Sequence, residues 1–234
     1  MASIYKCLAG LGVILISPVV VPALFWGRFL CDLLHLELPP GIDQPLKLLF
    51  YHLLLITTMV LGKILETLGI CSDLSLLRLV VDGIPPWRDS NLLIKDLVVD
   101  EVPLRIYQPK WPPAGKRRGI LYFHGGAGTF GSIRAFERVC RYIAKKCDSV
   151  VVSVGYRLAP EHPYPGQYSD CLNATLYFMR NLDEYHVDPA LIILGGDSCG
   201  ANFATVICQI LVNKRDLPKK TIIFGRYHTK LPRS

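Results

Sequence analysis

Hydrophobic residues are arranged in two ways along this chain. Up to about residue 90 they come in long runs, and beyond it in short ones with strand or helix spacing. No charge lies between Lys6 and Arg28, and the stretch 8–26 (LAGLGVILISPVVVPALFW) is close to the ~20 residues a helix needs to span a bilayer. Pro18 and Pro22 would kink that helix, which lipid tolerates better than water does. Trp26 and Arg28 suit one interface and Lys6 the other, so charge leaves the orientation open. The rival is a cleaved signal peptide, whose apolar region is only about 7–15 residues long and ends in an A-x-A-like site, not found here. The expectation is a retained anchor over 1–28. A second apolar run, 48–61, lies between Lys47 and Lys63 and holds His52. It is short for a span and reads as an interfacial or packing helix within a membrane-proximal or cap region over 29–90.

From residue 91 the runs shorten. Segments 92–100 and 102–109 alternate and are barely separated, which predicts an antiparallel pair. Segment 111–119 (WPPAGKRRG) reads as an exposed, turn-rich loop. Dense apolar runs at 119–123 and 149–154 suit strands buried on both faces. Helical spacing covers 132–147, 168–181 and 199–213, with a strand at 191–194 and a β-rich scrap at 221–224. The alternation predicts a doubly wound, mostly parallel α/β sheet with an antiparallel start, over 91–234.

Composition refines this picture. The chain of 234 residues is 51% hydrophobic and 19% charged, with mean hydropathy +0.33, more apolar than an ordinary soluble enzyme. Its net charge of +7 is scattered, and the nearest thing to a basic cluster (Lys214, Arg215, Lys219, Lys220) has no interleaved aromatics, which argues against nucleic acid as a partner. The eight cysteines form no C-x-x-C pair and no metal spacing, so no metal or cofactor is expected. One or two disulfides are open to an oxidising compartment, though Cys140 and Cys147, two helical turns apart, are too distant to bridge.

Two short motifs carry the chemistry. Ser198 stands between a predicted strand and a predicted helix within Gly196-Asp197-Ser198-Cys199-Gly200, the pattern of a nucleophile elbow. Small residues at 196 and 200 allow the sharp turn, and the helix from Cys199 aims its amino end at developing negative charge. His124-Gly125-Gly126-Ala127-Gly128 follows another strand. There Gly125 and Gly126 can turn backbone N–H groups inward, and with the N–H of Cys199 they would hold an oxyanion. His124 belongs to the scaffold of that loop and is not the catalytic base.

With HGGAG, YRLAPEHPYP (156–165) and GDSCG in this order, the chain resembles the hormone-sensitive-lipase group of α/β hydrolases. The single anchor and the stretch DLVVDEVPLRIYQPK look most like its arylacetamide deacetylase branch. The resemblance implies a serine esterase or deacetylase acting on apolar esters or arylamides through a Ser198 acyl-enzyme. It also implies Gly125, Gly126 and Cys199 as oxyanion donors, and a single-pass endoplasmic reticulum membrane protein with a lumenal hydrolase domain. The sequon Asn173-Ala174-Thr175 agrees with lumenal exposure and glycosylation. The family's chain order is Ser, then Asp, then His, yet beyond Ser198 only Asp216 and His228 are present, and neither matches the motif. Asp216 falls at the wrong edge of the sheet, whereas His228 would leave on the serine's edge if 221–224 is a parallel strand. The hydrolase domain is therefore expected to be incomplete at its C-terminal end and catalytically impaired. The alternative is a non-catalytic, membrane-anchored binding or regulatory form.

Overall fold

A computed structural model describes Gly27 and residues 41–87, 89–212 and 221–226. The anchor expected over 8–26 lies outside the described residues, as do Asp216 and His228. The chain divides into two compact units, Met1–Val80 and Val81–Ser234.

In the first unit α1 (Pro45–Thr67) is a 23-residue helix, longer than the sequence reading of 48–61. Lys47 sits in its first turn and does not interrupt it. Near the other end Lys63 is drawn to Glu66 at 2.5 Å and Asp73 at 3.4 Å, so the helix runs past the second lysine. By length and composition α1 could cross a membrane, and only 17% of its most apolar window is buried. The exposed Leu46, Phe50 and Leu54 and the exposed Leu48, Tyr51 and Leu55 lie on different sides of it, so it is apolar all round rather than along one stripe. A further helix, α2 (Asp73–Asp82), not anticipated from sequence, packs its first residue against Gly62, where an added Cβ would come 3.0 Å from the Asp73 Cα.

The second unit is a six-stranded sheet in the order β1-β2-β4-β3-β5-β6. β1 (Leu92–Val99) and β2 (Val102–Pro109) form the expected antiparallel pair, and β2 runs antiparallel to β4 (Ser149–Val154). β3 (Arg117–Phe123), β4, β5 (Val187–Asp197) and β6 (Thr221–Arg226) are mutually parallel. Arg117 corrects the exposed-loop reading of 111–119: its side chain is buried, and Nε donates to Asp148 Oδ1 at 2.8 Å. That pairing lets the strand begin two residues before the apolar run. In β6, Arg226 is level with Asp197, so this strand leaves on the serine's edge.

Alternation along the strands sorts the core onto two faces. Tyr107, Ile120, Tyr122 and Val151 meet Cys140 and Ala144 of α3 (Glu137–Lys146) on one face. Leu104, Leu121, Phe123, Val152 and Leu194 meet α4 (Gly166–Arg180) and α5 (Cys199–Val212) on the other. Each such large side chain contributes roughly 1.5–3 kcal/mol by leaving water. Helix spacing from 132 predicted an earlier start for α3, but Ser132 instead makes a turn: its Oγ accepts from the Ala135 N–H and donates to Asp82. Glu137, buried at 3% exposure, is compensated by Arg105 at 3.0 Å and by Arg141, as a buried carboxylate requires. The described cysteines 71, 140, 147, 171, 199 and 208 are all free.

The chain leaves β3 for α3 on one face and β5 for α5 on the other, and these strands are neighbours. Their C-terminal ends therefore bound a crevice, the place where open α/β sheets hold ligands.

Candidate active site

Both motifs line that crevice. β5 ends at Asp197, α5 begins at Cys199, and Ser198 between them is exposed with φ +50°. A side chain is held in this left-handed region only where its surroundings fix it, at about 1–3 kcal/mol of strain. The fixing contacts are backbone on backbone. A Cβ on Gly196 would stand 2.7 Å from the Gly200 carbonyl carbon. One on Gly200 would stand 2.6 Å from that of Phe123 and 2.7 Å from the His124 oxygen. Only hydrogen at 196 and 200 lets the ends of β3, β5 and α5 come this close.

The glycine loop folds back on itself beside the serine. Gly126, Ala127 and Gly128 have φ of +121°, +53° and +70°, and the N–H groups of Thr129 and Phe130 both donate to the Gly126 oxygen. The Gly125 N–H donates to Asp197 Oδ1 at 2.9 Å, and the Tyr122 hydroxyl donates to the same oxygen at 2.8 Å. The Gly125 N–H, expected from sequence to face an oxyanion, is here engaged by Asp197 and fastens the loop to the residue preceding the nucleophile. The N–H groups of Gly126 and Ala127 have no acceptor among the described residues. Ala127 carries a Cβ and so gives no glycine signal in the sequence, yet its positive φ gives it the same turn as its glycine neighbours. The Cys199 N–H lies in the first turn of α5, whose donors have no intrahelical partner.

His124 is 1% exposed and stacks between Tyr156 at 4.2 Å and Phe136 at 5.7 Å. Its Nδ1 is 2.8 Å from the Gly125 carbonyl oxygen. A carbonyl only accepts, so Nδ1 bears the hydrogen in this neutral ring. The Tyr156 hydroxyl donates to the His124 carbonyl at 2.7 Å. Tyr156, from the YRLAPEHPYP stretch, is thus a prop of the loop that no sequence signal assigned. Burial holds the His124 pKa below its usual value. An unfolded chain binds a proton below about pH 6.5 that the folded chain refuses, so stability is retained above that pH and falls below it by up to about 1.4 kcal/mol per pH unit. Urea midpoints taken from about pH 7.5 to 5.5 should fall in the native chain and fall less in His124→Gln; equal slopes would remove this account.

Asp197 invites a second test. Asp197→Ala leaves the Gly125 N–H and the Tyr122 hydroxyl without their acceptor, which should destabilise the protein by about 2–4 kcal/mol. Asp197→Asn keeps an acceptor oxygen but loses charge assistance, at about 1 kcal/mol. Urea unfolding should rank them native, Asn, Ala, and an Ala variant as stable as the native chain would contradict the fastening role.

The remaining positions are simpler. The Cys199 thiol is half-buried, with Sγ 3.8 Å from the Tyr156 hydroxyl and 3.9 Å from the His124 oxygen. Asn173 is exposed on α4. Among the described residues no group of three His, Cys, Asp or Glu side chains could hold a metal ion, and no side chain hydrogen-bonds the Ser198 hydroxyl.

Residues 120–225 match the family model of the alpha/beta hydrolase fold. Arylacetamide deacetylase-like 4 of Homo sapiens is 35% identical over 88% of this chain and 51% of its own length. Arylacetamide deacetylase-like 3 of Mus musculus is 42% identical over 78% of this chain and 45% of its own. Among solved structures an arylesterase superposes with TM-score 0.58 at 25% identity, over 68% of this chain and 54% of that one. The chain thus spans about half the length of the curated relatives it matches. Its fold is that of the α/β hydrolases, and the curated proteins it is similar to are arylacetamide deacetylases and proteins like them.

Proposed function

We propose that this chain carries the nucleophile half of a carboxylic ester hydrolase working through a Ser198 acyl-enzyme. The observation that carries the reading is Ser198 itself, exposed at φ +50° between β5 and α5, with the glycine loop tied to the adjacent Asp197. Ser198 Oγ attacks the acyl carbonyl carbon, the carbonyl oxygen takes the negative charge, and the alcohol or amine leaves with a proton as the acyl ester forms. The oxyanion is received by the N–H groups of Gly126, Ala127 and Cys199, each such donor supplying roughly 3–4 kcal/mol of barrier reduction.

Proton transfer is the weak step. With no base hydrogen-bonded to Ser198 among the described residues, acceleration is expected to stay near the 10³–10⁴-fold over water that an oxyanion hole and binding provide alone. The substrates we infer are apolar esters or arylamides, in keeping with the relatives' names. Membrane attachment through 8–26, a lumenal face in the endoplasmic reticulum and a glycan on Asn173 complete the reading, supported by the exposed apolar α1 and the exposed sequon asparagine.

Labelling with a fluorophosphonate tests it, because the probe reacts with a serine hydroxyl that its surroundings activate, with fluoride as the leaving group. The chain should label at Ser198, slowly. A folded chain that never labels would favour the second reading, a membrane-held form that binds without catalysing, for which a Ser198 hydroxyl with no side-chain partner among the described residues is the supporting observation.

A further inference from the structure

A cavity of about 590 Å³ opens where β4 ends, and β3 stands between β4 and β5 in the sheet. Strand register builds its apolar side. Leu97 of β1 is level with Leu104 of β2, and Leu104 is level with Val154, the last residue of β4. Past Val154 the chain supplies Leu158, and the segment after the glycine loop supplies Ile133 and Arg134. His124 borders the cavity, whereas Ser198, Gly126, Ala127 and Cys199 do not. It is therefore separate from the crevice of the nucleophile, and its volume is that of a pocket for one small molecule, about 300–1,000 Å³.

Four charged side chains border this space, and two of them are already matched. Arg105 Nε and Nη2 donate to the Asp96 carboxylate at 2.5 and 2.8 Å, while its Nη1 donates to Glu137 at 3.0 Å. Glu137 is joined in turn to Arg141, so this network of two acids and two guanidiniums is neutral. Asp82 and Arg134 are not matched. Asp82 accepts from the Ser132 hydroxyl at 2.5 Å, and Arg134 Nη2 donates to the Gly83 carbonyl at 2.9 Å. Neither forms an ion pair among the described residues. Because Arg134 is fastened to the residue next to Asp82, one anion and one cation stand near each other at the same end of the cavity. The apolar side offers Leu97, Val98, Leu104, Ile133 and Leu158, and Val98 is 69% exposed.

We propose that this cavity binds a single-chain amphiphile with a zwitterionic head, its ammonium at Asp82, its phosphate at Arg134 and its alkyl chain along the apolar side. The site goes beyond the hydrolase reading and does not depend on it. An arginine has five N–H donors in a planar fork that matches phosphate oxygens, and one bond to Gly83 leaves most of them available while fixing the fork in place. A carboxylate keeps lone pairs after accepting one hydroxyl. A purely anionic head would be set against Asp82, and a purely cationic one against Arg134, each a like-charge contact. A head with both signs satisfies both residues, and a chain covering Val98 and its neighbours removes apolar surface from water.

The test is calorimetric titration of the full chain in nanodiscs, with empty discs subtracted. The ligands are hexylphosphocholine, hexyl phosphate, hexyltrimethylammonium, hexyl glucoside and phosphocholine. Hexylphosphocholine should bind most tightly, with phosphocholine (no chain) and hexyl glucoside (no charge) several-fold weaker. Asp82→Asn keeps an acceptor for Ser132 and should weaken hexylphosphocholine and hexyltrimethylammonium about two- to fivefold, the scale of a half-exposed ion pair, without weakening hexyl phosphate. Arg134→Gln keeps a donor for Gly83 and should weaken hexylphosphocholine and hexyl phosphate but not hexyltrimethylammonium. These opposite selectivities cannot be mimicked by a folding defect, which would weaken every ligand alike. Hexyl glucoside or phosphocholine binding as tightly as hexylphosphocholine, or either variant weakening all the ligands equally, would overturn the site. Ser198→Ala should bind hexylphosphocholine as the native chain does, and a loss there would move the amphiphile to the serine's crevice and overturn the proposal as well.

Discussion

Ser198→Ala should take up no fluorophosphonate, and Ser198→Gly should take up none either while being the more stable of the two by about 1 kcal/mol. Loss of label follows from removing the nucleophile, and residual uptake in either variant would place the reactive group elsewhere. The stability ordering follows from the backbone. Position 198 sits at φ +50°, where any Cβ crowds the neighbouring carbonyl and glycine does not. Alanine keeps that strain and glycine releases it, against an extra unfolded-state entropy for glycine of about 0.4–1 kcal/mol. Elsewhere in a helix-flanking position the order would be reversed, because alanine is the better helix former. Urea unfolding of both variants decides it: an alanine variant equal to or more stable than the glycine one would mean the elbow holds no strain.

The parts of this molecule legible in the sequence are those where one physical requirement dominates. β4 was readable to the residue because six consecutive buried positions leave no alternation to misread. The β1–β2 pair was readable from period-two alternation broken by two residues. Ser198 and the close approach at Gly196 and Gly200 were readable because a strand, a glycine-flanked serine and a helix in sequence admit few geometries. What stayed hidden depends on partners distant in the chain. Arg117 looks like loop until Asp148 is beside it. Tyr156 looks like motif until its hydroxyl reaches the His124 carbonyl, 32 positions away. Gly125 looks like an oxyanion donor until Asp197, 72 positions away, takes its N–H. The length of α1 was underestimated for another reason: a lysine near a helix end was read as a boundary, whereas i,i+3 pairing with Glu66 lets the helix continue.

Gly200→Ala should be among the most damaging single-methyl additions at the described glycines. Gly200 lies in the first turn of α5, where helix propensity alone would make alanine better by about 1 kcal/mol. Packing argues the other way. The added carbon would meet the Phe123 carbonyl carbon at 2.6 Å and the His124 oxygen at 2.7 Å, and both are backbone that no rotamer change can move. Relief would require β3 and α5 to part, and overpacking that displaces backbone should exceed the usual 1–3 kcal/mol. Against a total stability on the order of 5–15 kcal/mol, that is enough to turn much of the protein insoluble. What remained folded would hold Ser198 away from the Gly126 and Ala127 N–H groups and label slowly. Gly166→Ala is the control: it opens α4, and its added carbon would find only His162 Cβ, at 3.8 Å, so it should be neutral or slightly stabilising. The two substitutions add the same atom to the same kind of helix start, and only backbone proximity separates them. Equal urea midpoints for both would therefore remove the close approach of β3 and α5, and with it the reason the serine and the glycine loop share one crevice.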